Sequence, residues 1–158
     1  SLFRNGQVGF YASIRAPRFR SDGQNLLDAT LLSITDSTDA TKNISLKLSP
    51  TSSTTAILTL ETGASSTVHR MDYDGGAQGQ QEIDFSDNQY KEIILSVDGT
   101  DAIAFVNGVP GQSVTESSSI IDADEWHDNT PDQIRRCLCG EGNVDGPLRR
   151  VCCAVIDQ

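Results

Sequence analysis

Arg15, Arg18 and Arg20, spaced around Pro17, form the densest basic stretch of the chain, and Arg135, Arg136, Arg149 and Arg150 gather near its end. A guanidinium offers planar paired donors and sheds water more readily than an ammonium, so such clusters suit sulfate groups. The simpler account is that these arginines neutralise some of the chain's many carboxylates. Asp72-Tyr73-Asp74-Gly75-Gly76 sets two carboxylates on a pliable backbone, the hard-oxygen setting calcium requires, which makes Asp72 and Asp74 candidate calcium ligands. Asp122, Asp124, Glu125 and Asp128 form a second acidic cluster beside Trp126 and His127. A solvated acidic loop is the simpler account of each cluster.

The four cysteines fall into two tight pairs, Cys137 with Cys139 and Cys152 with Cys153. Zinc sites favour wider gaps such as C-x2-C, so that two thiolates converge on one ion. A bond between the neighbours Cys152 and Cys153 would be strained, so two bridges between the pairs are expected, in either of two connectivities. Such bonds persist in an oxidising compartment and predict secretion. If Cys152 and Cys153 lie in a strand they point to opposite faces, whereas an extended Cys137-Leu138-Cys139 points both thiols one way, so one pair must leave regular strand geometry. Asn43-Ile44-Ser45 is an N-glycosylation sequon, which agrees with secretion.

Other chemistry finds little support. His69 and His127 stand in no triad or H-x-x-x-H arrangement. The glycine-rich run from Asp74 to Gln80 has no Lys-Ser/Thr after it and reads as a hairpin loop, not a phosphate cradle. A glycan-cleaving sandwich enzyme needs two carboxylates facing each other across a groove, and no paired Glu motif on a strand declares itself. The expectation is a protein that binds and does not catalyse.

The formal net charge of −10 would repel nucleic acid and anionic lipid from the surface as a whole. It suits solubility, and also calcium, cationic partners or a mineral face. No apolar run reaches membrane-spanning length, and the chain, which begins at Ser1, reads as mature or trimmed. Its 158 residues fit one domain, 1–158, large enough to bury a core of its own.

The elements that must position these residues repeat with period two. Val8, Phe10, Ala12 and Ile14 alternate with Gly9, Tyr11, Ser13 and Arg15, as on a strand with one buried face. Leu31 to Ile34, Ile44 to Leu48, Thr55 to Glu61, Thr67 to Tyr73, Ile83 to Phe85, Glu92 to Val97 and Ala102 to Val106 read as further strands. Asp98-Gly99 signals a hairpin, with a connection expected to exceed two residues, and Asn107-Gly108 signals another turn. From Val109 to Asp132 the pattern lapses into a long polar connection. Thr130 and Pro131 look like a cap and first position for at most one short helix, and Leu148 to Ile156 reads as a closing strand. Short, evenly spaced strands with scarce helix predict an all-β, antiparallel two-sheet sandwich.

The run Asp87 to Gly99, continuing through Ala104-Phe105-Val106-Asn107-Gly108, resembles laminin-G-like and thrombospondin N-terminal domains. In those families a D-G-x-W-H-x-V-x-L-S-V-x-G strand leads into V-x-L-Y-V-(D/N)-G. Here Tyr90 stands for the usual Trp and Lys91 for the usual His. Gly9 to Arg15 with Leu31 to Ile34 resembles the early strands of the template, and Cys139-Gly140 with Asp145 to Val151 resembles its closing pair. The resemblance spans nearly the whole chain. It implies a jelly roll whose first and last strands lie side by side, bringing the two arginine stretches together. It also implies a secreted matrix or cell-surface adhesion module, beside other domains of a larger protein. The implied partner is a sulfated glycan or an extracellular protein, often with calcium at the rim. An acidic matrix protein that holds calcium or mineral is the alternative within the binding class.

Overall fold

The computed structural model describes residues 7–34, 41, 43–63, 65, 67–72, 81–120 and 150–154, with Val8 and residues 150–154 described by backbone alone. Within these residues the chain is an antiparallel two-sheet β-sandwich, as the alternation predicts. The strands are β1 (Gln7–Ile14), β2 (Ala29–Ile34), β3 (Ile44–Pro50), β4 (Thr55–Thr62), β5 (Val68–Arg70), β6 (Ile83–Asp84), β7 (Lys91–Asp98), β8 (Asp101–Val106), β9 (Val109–Pro110), β10 (Val114–Thr115) and β11 (Arg150–Ala154). One sheet runs β10-β8-β7-β1-β11, with β9 also paired to β8, and the other runs β2-β3-β4-β5, with β6 paired to β4.

Alternation places one face of each sheet in a shared core. In the first sheet Phe10, Leu95 and Ala104 lie in one hydrogen-bonded row and Ala12, Ile93 and Val106 in the next, so small residues stand beside large ones. In the second, Leu46 opposes Leu60 and Leu48 opposes Leu58. All four leucines are fully buried. Each contributes about 1.5–3 kcal/mol relative to exposure. Leu31 and Leu32 are both buried although adjacent, because a bulge between Thr30 and Leu32 inserts an extra residue into β2.

Two expectations change. The β7–β8 connection is a two-residue turn, Gly99-Thr100, since Asp98 pairs with Asp101. Gly99 has φ +59, which a first central glycine supplies without a Cβ penalty. The stretch after Val109 is also not wholly unstructured connection, because β9 and β10 both pair with β8. These strands are two residues long, too short for any period to show. The Asn107-Gly108 turn is as expected, with both residues at positive φ (50 and 77), the I′ signature.

Candidate functional site

β1 pairs with β7 on one side and with β11 on the other. The first and last strands are therefore neighbours, and the Cα of Arg150 is opposite Ser13, two residues before Arg15. Arg15 follows the last residue of β1, where Ile14 pairs with Lys91. Tyr90 directly precedes that pair, and the Arg15 guanidinium carbon sits 5.1 Å from the centre of its ring. This is cation–π distance. The Tyr90 ring thus serves as a platform for arginine. Arg15 Nε is buried and has no hydrogen-bond partner among the described residues.

The chain then leaves β1 through Ala16, at φ 46, and buried Pro17. Phe19 packs against the core, whereas Arg18 and Arg20 on either side of it are exposed. The following loop is closed by a Ser21–Leu26 bridge and by Leu27 N–H donating to Arg20 C=O at 2.7 Å. Inside it Asp22 Oδ1 accepts the N–H groups of Gln24 and Asn25, and these backbone donors hold its carboxyl below the usual range. Pro17 and Phe19 point inward, and this alternation turns Arg18 and Arg20 toward solvent.

The described basic side chains divide into two groups. Lys47 meets Glu61 at 2.8 Å, Arg70 meets Asp72 at 2.6 Å, Lys91 meets Asp87 at 2.5 Å, and His69 Nε2 lies 2.7 Å from Glu116. Arg15, Arg18 and Arg20 have no carboxylate within ion-pair distance among the described residues.

Asp72 is fully buried, with both carboxylate oxygens on Arg70: Nε donates to Oδ1 at 2.6 Å and Nη2 to Oδ2 at 3.1 Å. Burial raises its pKa, and the Arg70 hydrogen bonds and charge oppose that shift. Among the described residues no group of three or more His, Cys, Asp or Glu side chains is placed to hold a metal ion. Asn43 lines a shallow polar cavity of about 340 Å³ with Ser33, Ser45, Lys47 and Glu61, and its carbonyl accepts Gly63 N–H at 2.6 Å.

Asp74, Arg135, Arg136, Arg149, Cys137 and Cys139 lie outside the described residues, as do the acidic run from Asp122 to Asp128 and the helix start at Thr130. For Arg150, Cys152 and Cys153 only the strand position is described, the cysteines opposite Tyr11 and Phe10.

Sequence reasoning missed a buried polar cluster that joins the sheets. Glu116 Oε1, on the residue after β10, accepts hydrogen bonds from Thr62 Oγ1 at 2.6 Å and Ser65 Oγ at 3.0 Å, and it also faces His69. Thr62 ends β4 and His69 lies in β5, so both belong to the second sheet. The partners are 47 to 54 residues from Glu116 in sequence, and no local motif links them.

No protein-family model and no curated protein matches the chain. Among solved structures it is similar to full-length tailspike protein 2 of Escherichia coli O157:H7 bacteriophage CAB120, at 11% identity and a TM-score of 0.45. The similarity covers 77% of this chain and 16% of the tailspike, so the chain spans a small part of that protein's length.

Proposed function

We propose that this chain is an extracellular binding module of laminin-G or thrombospondin N-terminal type, a jelly roll that grips a sulfated glycan through Arg15, Arg18 and Arg20. The carrying observation is that these three arginines, consecutive along the exit from β1, have no carboxylate partner among the described residues, while the basic side chains Lys47, His69, Arg70 and Lys91 each have one. In a chain of net charge −10, arginines that only balanced carboxylates would be expected beside them. Guanidinium groups without a carboxylate partner among the described residues keep their paired donors for sulfate. The β1–β11 pairing supports extending the patch to Arg150 and, with it, Arg149. The two-sheet sandwich and the Asp87 to Gly108 strand pair support the family reading, and the late cysteines support secretion with intrachain bridges. The calcium reading has less behind it, since Asp72 is occupied by Arg70.

Elution from immobilised heparin in a salt gradient tests the proposal. The variant R18Q/R20Q should elute at clearly lower salt than the parent, and R18Q/R20Q/R149Q/R150Q at lower salt still. Unchanged elution of both variants would overturn it.

A further inference from the structure

The outward face of the first sheet is not polar throughout, as a solvated antiparallel face ordinarily is. Tyr11, Ile94, Phe105 and Pro110 follow one another in register across β1, β7, β8 and β9. The chain neighbours of the first three, Phe10, Ala12, Ile93, Leu95, Ala104 and Val106, are buried, so these three turn away from the core, and Pro110 shares the face of its partner Phe105. Ile103 joins them one row away, beside Ser96 and Gly9. Ile94 is 37% exposed. The result is an apolar and aromatic stripe crossing four strands, the kind of patch that marks an interaction surface.

Its rim is acidic. Glu92 lies on one side of the stripe, and Asp98 and Asp101 lie on the other. Their hydrogen-bond partners are neutral: the Tyr11 hydroxyl for Glu92, the Gln7 amide for Asp98 and the Thr115 hydroxyl for Asp101. No lysine or arginine occupies an outward position of β1, β7 or β8, and Arg150 at the start of β11 shares the row of Ser13 and Glu92.

We infer that this stripe docks a segment of a protein partner whose apolar side chains are flanked by lysine or arginine. The charge pattern selects the occupant. A sulfated glycan would meet like charge at Asp98 and Asp101, the end of the stripe farther from Arg15 and Arg150. A second copy docking by the same face would bring two acidic rims together. A basic, apolar segment matches both the stripe and its rim, with aromatic anchors at the centre and charges at the edge.

The test uses two labelled synthetic peptides of equal length, one of leucine, serine and lysine and one of leucine, serine and glutamate, titrated against the chain by fluorescence anisotropy. The basic peptide should bind at least about tenfold more tightly than the acidic one, and Ile94→Asp should cost at least about tenfold of that affinity. Ile94→Asp adds a negative charge, so attraction to the acidic protein as a whole would strengthen with this variant. Weakening therefore assigns the contact to the stripe. E92K/D101K should weaken the same peptide. Equal binding of the two peptides, or binding that Ile94→Asp leaves unchanged or strengthens, would overturn the inference. So would sedimentation showing a dimer that Ile94→Asp dissociates, which would assign the face to a second copy.

Discussion

His69 Nε2 lies 2.7 Å from Glu116 Oε1, and through that contact a strand of one sheet meets the segment that follows the edge strand of the other. The Glu116 carboxyl is held below its ordinary pKa, first by the Thr62 hydroxyl and then by His69 and Ser65, with burial opposing them. A carboxyl that binds its proton more weakly when folded stabilises the fold above the ordinary carboxylate range, and that stabilisation is lost as pH falls through its folded value. Glu116→Gln should therefore lower stability at neutral pH, by about 1–3 kcal/mol, and should flatten its decline on acidification. Urea unfolding at a series of pH values measures both effects.

The Arg70–Asp72 pair should behave asymmetrically. Asp72 is wholly buried and Arg70 is one-third exposed, so removing the arginine leaves a charge stranded inside, whereas removing the acid leaves a cation that can reach water. Arg70→Ala should cost about 3 kcal/mol or more at neutral pH, and Asp72→Asn less. The pH dependence has the opposite sign to that of Glu116. Without Arg70 the Asp72 pKa, already raised by burial, rises further, so the penalty should shrink as pH falls into the carboxylate range. Unfolding curves of Arg70→Ala at neutral and mildly acidic pH check this.

Alternation made most of the sandwich legible in the sequence. β1, β3, β4, β7 and β8 each bury one side chain in two over six or more residues, long enough for a period of two to stand out. β9 and β10 did not show, because they owe their place to β8 and not to any pattern of their own. Of the arginine site, the clustering was legible, but the absence of carboxylate partners among the described residues was not, since pairing depends on which strands become neighbours. The Glu116 cluster and the stripe from Tyr11 to Pro110 were hidden for the same reason. Each is assembled across strands distant in sequence, and the apolar members of the stripe look locally like ordinary core residues.

Gly111 allows a close approach between the two sheets. A Cβ built there would lie 2.1 Å from Met71 O and 2.7 Å from Asp72 O, both of them backbone atoms that cannot swing aside, while Gly111 N–H is held by Ala104 C=O. Gly111→Ala should destabilise by about 1–3 kcal/mol through this overpacking. Gly108→Ala meets open space, but φ +77 imposes a strain of about 1–2 kcal/mol. Thermal unfolding of the two variants measures both costs.

Tyr90 should contribute to glycan binding without touching the glycan. Its ring supports the Arg15 guanidinium at 5.1 Å, and the Arg15 Nε–H has no partner among the described residues. A cation–π contact of this kind contributes about 0.5–1 kcal/mol, so losing the platform should weaken heparin binding by about two- to fivefold. Tyr90→Phe keeps the ring face and should bind as the parent does, whereas Tyr90→Leu keeps bulk without the ring's negative face and should show the loss. Arg15→Lys should lose more than Tyr90→Leu, because a lysine gives up the paired donors as well as the planar stack. If Tyr90→Leu leaves affinity unchanged while R18Q/R20Q reduces it, the glycan is held by the two exposed arginines, and Arg15 belongs to the packing of β1 against the entrance of β7.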